Sequence, residues 1–72
     1  MRDRLTNREL ETLRLAAKGM PNKEIAVRLG VSLRSTKAYL SAVFQKLNVA
    51  SRTEAIAVGL QTGLITLNDI EE

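Results

Sequence analysis

The 72-residue chain carries 11 Lys and Arg against 8 Asp and Glu, a formal charge of +3, and has neither cysteine nor histidine. Disulfides, thiol nucleophiles, the usual zinc sites and imidazole acid–base chemistry are thereby excluded, and no metal or cofactor is expected. The length fits one small domain that removes only about 60% of its unfolded surface from water, and no apolar run reaches the roughly 18 residues that span a bilayer. With no apolar signal-peptide core at its start, the chain is expected in the cytoplasm, away from membranes.

Pro21, Gly19, Gly30 and Gly63 punctuate the chain, whereas Gly59 falls inside a periodic segment. The punctuation predicts an all-α four-helix bundle, with helices at about 7–18, 22–29, 33–47 and 52–62 and no strand. The first helix opens on Thr6-Asn7-Arg8-Glu9, a capping box in which the Thr6 hydroxyl and the Glu9 carboxylate each accept the other's backbone amide. Leu10, Leu13 and Ala17 follow at helical spacing, Leu5 is placed to staple the entry, and Gly19 supplies the stop. This helix reads as scaffold.

The second helix turns Ile25, Ala26 and Leu29 inward and Lys23, Glu24, Val27 and Arg28 outward. Pro21 offers neither a side-chain acceptor nor an amide, so Asn22 is the expected cap. Ser32 caps the third helix, whose inward stripe is Thr36, Leu40, Val43 and Leu47, widened by Phe44. Arg34, Lys37, Ala38, Ser41 and Gln45 share the opposite face, small, polar and cationic. Thr36 buries a hydroxyl, which has to bond back to a carbonyl one turn earlier.

The fourth helix starts at Ser51-Arg52-Thr53-Glu54, read as a second capping box, and is apolar on more than one face. Ala57, Val58 and Gln61 are therefore candidates to face a second subunit, the alternative being a helix wrapped on two sides by its own domain. The tail TLNDIEE either adds one capped turn or frays. Glu9 and Glu11 lie early, and Asp69, Glu71 and Glu72 close the chain. The middle is left basic, which suits a polyanionic partner, although an ordinary solvated surface accounts for the charge equally well.

A helix, the connector Gly30-Val31-Ser32 and a second, longer helix form a helix-turn-helix, in which the first helix braces the second against a duplex. Gly30 is needed because a left-handed backbone costs other residues about 1–2 kcal/mol. Val31 plugs the elbow. The basic and small side chains early in the third helix then project toward a major groove about 12 Å wide.

These residues resemble the C-terminal DNA-binding domain of the LuxR/NarL/FixJ family of bacterial transcription regulators over nearly the whole chain. The resemblance rests most on Leu5-Thr6 with Arg8-Glu9, the string Asn22-Lys23-Glu24-Ile25-Ala26, Lys37, Lys46-Leu47, Arg52, Ala55 and Gly63-Leu64. It implies a third helix in the major groove, a fourth helix that dimerises on DNA, and an upstream regulatory domain, often the phosphorylatable receiver of a two-component response regulator, that is not among these residues. It also implies site roles: Lys37 as the recognition cation, Ala38 and Ser41 facing bases, and Asn22 and Lys23 on the phosphate backbone. Chemistry agrees with each. A lysine can donate to guanine O6 and N7, an alanine can meet a thymine methyl, and helix N-termini offer amides to phosphate.

Arg34, Ser35 and Tyr39 are candidates for further phosphate contacts. Lys46 and Arg52 are weaker ones, and Glu9 and Arg52 read equally well as ions that tie helices together. The chain departs from the family pattern at Thr36, where Val is usual, at Tyr39, where His is common, at Pro21, where Ser or Thr is common, and at Ala38 and Ala42, where longer or polar side chains are frequent. These changes bear on which DNA sequence is read.

The expected function is a sequence-specific transcription regulator that binds double-stranded DNA as a homodimer, with RNA polymerase as a further candidate partner. One alternative is a protein-interaction module on a helix-turn-helix scaffold that no longer reads DNA, which Ala38 and Ala42 favour. Another is the DNA-reading region of a sigma factor, which the strings NKEIA and RTEAIAVGLQTGLI argue against. An enzyme is not expected: Glu9, Glu11, Glu24 and Glu54 have capping or surface explanations, with no nucleophile, metal cluster or glycine-rich phosphate loop beside them.

Overall fold

Helix α1 (Asn7–Ala17) begins where the sequence offers two reciprocal bonds: the Thr6 amide donates to Glu9 Oε1 at 2.9 Å, and the Glu9 amide donates to the Thr6 hydroxyl at 3.2 Å. The computed structural model describes residues 4–71, so Glu72 and the first three residues lie outside the description. Four further helices follow, α2 (Asn22–Leu29), α3 (Leu33–Leu47), α4 (Arg52–Thr62) and the short α5 (Leu67–Glu71), and no strand occurs among the described residues. The tail thus takes its capped-turn alternative. The Thr66 amide donates to Asp69 Oδ2 at 2.9 Å to start α5, and Asp69 lies 4.0 Å from Arg14 of α1.

Two helix starts differ from their sequence signals. Pro21, not Asn22, is the N-cap of α2, with no side-chain bond to the helix. The Asn22 carbonyl oxygen Oδ1 is instead held by Arg52 Nη2 at 2.6 Å, a charge-assisted bond stronger than a neutral cap. At α4 the Glu54 amide donates to Ser51 Oγ at 3.2 Å, but the Glu54 carboxylate accepts from the Ala50 amide at 2.7 Å. Only half of the expected capping box therefore forms.

The turn from α2 to α3 is closed by backbone bonds. The Gly30 amide donates to the Val27 carbonyl at 3.2 Å and the Val31 amide to the Ala26 carbonyl at 3.0 Å, the pair that defines a Schellman stop. That geometry needs a left-handed residue, and Gly30 has φ +69°. Val31 then packs against the inner faces of α1, α2 and α3. Asn48 ends α3 with φ +58°, one of the few side chains that tolerate that region.

Packing proceeds from α1, which contacts each of the other four helices. On one side Leu13 and Ala17 meet Val43 of α3, Ala55 of α4 and Ile65. On the other, Ala16 meets Ile25 and Leu29 of α2 and Leu40 of α3. Phe44 borders both clusters. Alanines at the contacts let helix axes approach closely, and Gly59 does so in the extreme: a Cβ there would lie 3.0 Å from Cγ1 of the buried Ile65. The glycine inside α4, unfavourable for a helix by about 1 kcal/mol, is the seat of that side chain.

Among the described residues, the shortest ion pair joins α1 to α3. Lys46 Nζ of α3 lies 2.8 Å from Glu9 Oε1 of α1 and 3.2 Å from the Arg4 carbonyl. Burial opposes ionisation of Glu9, but the Lys46 ammonium and the Thr6 amide and hydroxyl outweigh it and hold the carboxyl below its ordinary value of 4.5. A carboxyl depressed in the folded state contributes stability that is fully present above its unfolded pKa and is lost as pH falls through the folded one.

Two measurements follow. Gly30→Ala adds a Cβ with nothing within 4 Å, so its cost is purely one of backbone conformation: about 1–2 kcal/mol in urea unfolding. Glu9→Gln lowers stability at neutral pH by about 1–3 kcal/mol and leaves a shallower loss on acidification below 4.5 than in the parent, as read from urea midpoints across pH.

Candidate nucleic-acid interface

Helix α3 is divided lengthwise. Thr36, Leu40 and Val43 are buried, and the Thr36 hydroxyl donates to the Ser32 carbonyl at 3.1 Å, so its burial leaves no unsatisfied polar group. Arg34, Lys37, Ala38, Ser41 and Gln45, spaced i, i+3, i+4, i+7 and i+11, are all exposed on the opposite face. Residues 33–47 contain no Asp or Glu. Ser32 Oγ accepts the Ser35 amide at 3.0 Å and fixes the start of this face.

Not every cation of the region is available. Lys46 is committed to Glu9, and Arg52 turns inward, donating from Nη1 to the Met20 carbonyl at 2.8 Å and from Nη2 to Asn22 Oδ1 at 2.6 Å. Among the described residues, no carboxylate forms an ion pair with Lys23, Arg34 or Lys37. Of the described acids, Glu9 pairs with Lys46, Glu11 lies beside Arg8, Asp69 beside Arg14 and Glu54 on the Ala50 amide, while the exposed Glu24 of α2 lines a separate depression with Lys18 and Arg28. An uncompensated positive face therefore coincides with the exposed side of α3, which is the arrangement that attracts a polyanion.

Helix α2 is held at both ends. Arg52 anchors its N-terminal end, and Arg8 Nη1 of α1 donates to the Leu29 carbonyl at its C-terminal end at 3.1 Å, where a cation also meets the negative pole of the helix. Between the start of α2 and the exposed face of α3 lies a shallow depression of about 390 Å³, lined by Asn22, Lys37, Leu40, Ser41, Phe44 and Arg52.

Of the residues singled out from the sequence, Asn22, Lys37 and Ser41 thus border one depression, with Arg34 and Ala38 on the same face of α3 and Lys23 exposed beside Asn22. Ser35 and Tyr39 sit half-buried on its flank: the Ser35 hydroxyl accepts from Ser32 Oγ at 3.1 Å, and Tyr39 packs against the cluster formed by Ala16, Ile25, Leu29 and Leu40. Ala57 and Gln61 are exposed on α4, with Val58 half-buried between them, and none of the three lines the depression. The tie from Arg8 to α2 leaves no local signal in the sequence, because the arginine lies 21 residues from the carbonyl it meets. Among the described residues no carboxylates converge as a metal site, and no helix is long and apolar enough to cross a membrane.

Comparison with known proteins gives concordant results. A family model described as bacterial regulatory proteins, luxR family, matches residues 3–58. The transcriptional regulatory protein YdfI of Bacillus subtilis (strain 168) is 42% identical over 65 residues, which cover 90% of this chain and 30% of that protein. The transcriptional regulatory protein ComA of the same organism is 44% identical over 63 residues, 88% of this chain and 29% of that one. The chain therefore spans about 30% of the length of these curated relatives. Among solved structures, the transcription factor GerE superposes with a TM-score of 0.83 at 33% identity, covering 88% of this chain and 94% of GerE. The response regulator ChrA of a heme-sensing two-component system superposes at 0.85 with 35% identity, over 90% of this chain and 32% of ChrA.

Proposed function

Because the chain belongs to the luxR family of bacterial regulatory proteins, DNA-binding transcription regulators rather than an enzyme class, we propose that it is the sequence-reading effector domain of a response regulator and lays the N-terminal half of α3 in the major groove. The observation that carries this reading is the exposed, acid-free face of α3, whose cations Arg34 and Lys37 form no ion pair among the described residues. In this role Lys37 donates to a guanine edge, Ala38 meets a thymine methyl, and Ser41 adds a hydroxyl to either kind of base. Asn22 and Lys23 meet phosphate at the uncapped start of α2, where the positive pole of the helix favours an anion. Arg34 adds a phosphate contact, with Ser35 and Tyr39 contributing from the flank.

A second copy pairs through Ala57, Val58 and Gln61 of α4 and sets two half-sites about 34–36 Å apart. The side chains suit this, since the exposed Ala57 and Gln61 are not needed by the monomer's own core. The relatives are about three times as long as this chain, which leaves room in the whole protein for a domain that receives the signal. Such a protein works in the cytoplasm, on the promoter that RNA polymerase also occupies.

Fluorescence anisotropy with a duplex selected from a random pool tests the reading. Lys37→Ala weakens binding to the selected duplex by about 5- to 150-fold and to random duplex much less, because a base contact is lost. Lys23→Ala weakens both alike and lowers the log–log salt slope by about 0.9, as expected for one phosphate. Equal losses on both duplexes for Lys37→Ala contradict its role in reading bases, and a wild-type domain that ignores DNA at low salt contradicts the function. For the pairing surface, Ala57→Glu abolishes cooperative binding to two half-sites while leaving affinity for a single half-site unchanged.

A further inference from the structure

We propose that Arg52 is a positioning residue for DNA: it holds the Asn22 amide with its oxygen inward, so that the Nδ2 donors face a phosphate at the rim of the α2–α3 depression. The inference rests on the DNA-binding reading above and adds a residue that acts on the duplex through another.

The chemistry of the contact dictates the orientation. A guanidinium can only donate, so the side-chain atom of Asn22 that lies 2.6 Å from Arg52 Nη2 has to be the oxygen. A carboxamide is planar, and its nitrogen points away from the bond that its oxygen accepts. The guanidinium is itself fixed, since Nη1 donates to the Met20 carbonyl at 2.8 Å, two residues before Asn22. Both bonds join the first residue of α4 to the chain leading into α2, about 30 residues away in sequence.

Among the described residues, no other group bonds to the Asn22 side chain. Pro21 is the N-cap of α2, so Asn22 is not consumed as the cap, and the first amides of the helix lack a side-chain acceptor. Asn22 and Arg52 line the same depression as Lys37 and Ser41, which brings this pair to the edge of the proposed recognition face. A phosphate arriving there meets amide hydrogens and the neighbouring Lys23. Without Arg52 the carboxamide is no longer held, and its oxygen, which repels the same phosphate, is as free to face outward as its nitrogen. Arg52 spends its own charge inward and is not a phosphate ligand.

A double-mutant cycle tests this on the whole chain, with binding to one selected duplex read by anisotropy and the folded fraction checked by circular dichroism and urea. Arg52→Met and Asn22→Ala each weaken binding by about tenfold, and the double variant binds no more weakly than Asn22→Ala alone. The salt slope of Arg52→Met stays at the parent value. Additive losses, or a slope reduced by about 0.9, overturn the inference, the second by making Arg52 a direct phosphate contact.

Asn22→Asp keeps an acceptor for Arg52 but has no outward donor. It retains stability and loses at least tenfold in binding, whereas unchanged binding overturns the proposal even if Arg52→Met fails to fold. If wild type binds and Lys37→Ala weakens it while the cycle is additive, only the role of Arg52 falls. If wild type does not bind, the DNA-binding reading falls and this inference with it.

Discussion

The three-residue connector between α2 and α3 is the constraint on which the molecule depends. With Gly30 left-handed and Val31 turned into the elbow, α3 leaves the turn in one direction, and Ile25, Leu29 and Leu40 close on Ala16 of α1. That burial uses only one side of α3. The helix is therefore both a core element and an exposed rod, and the division between the two runs along its length through residues spaced at its own period.

Charge follows the same division. Behind the rod, charged side chains are used as ties: Glu9 to Lys46, Arg8 to the Leu29 carbonyl, and Arg52 to Met20 and Asn22. Each spans more than 20 residues of sequence, and each ends on a partner that satisfies it. In front, Arg34 and Lys37 make no such tie among the described residues. A net charge of only +3 thus leaves α3 a face of one sign, because residues 33–47 hold no acid and the described carboxylates of Glu9, Glu11 and Asp69 are paired with other cations. In so small a domain a few such ties are a sizeable part of a stability that is typically about 5–15 kcal/mol, which makes the orientation of α2 sensitive to single side chains.

Much of this was legible in the sequence because it is local. The Thr6 and Ser32 caps, the inward stripe of α3, the cationic face opposite and the need for glycine at position 30 depend on residues within a turn or two of each other. The start of α2 departs from its local signal for the opposite reason. Local preference made Asn22 the best cap available, but Arg52, 30 residues on, offers its oxygen a stronger bond. Glu54 was drawn off to the Ala50 amide in a loop whose path the sequence does not reveal, and the role of Gly59 required knowing that Ile65 folds back upon it. For the candidate site, the exposed face of α3 was readable from periodicity, whereas the half-buried placement of Ser35 and Tyr39 depends on how α2 leans against the same helix. The pairing of Lys46 with Glu9 has no signature in the sequence, where the two charges stand 37 residues apart.

The central claim is that a positive, structurally unoccupied face of α3, steadied by α2, meets duplex DNA. Titrating a selected duplex into isotope-labelled protein and following backbone and side-chain amide resonances tests it most directly. The account predicts changes concentrated at Asn22, Lys23 and Arg34 to Ser41, with the α1–α5 side unmoved. Changes confined to α4, or to the surface around Glu11, Arg14 and Asp69, would contradict it.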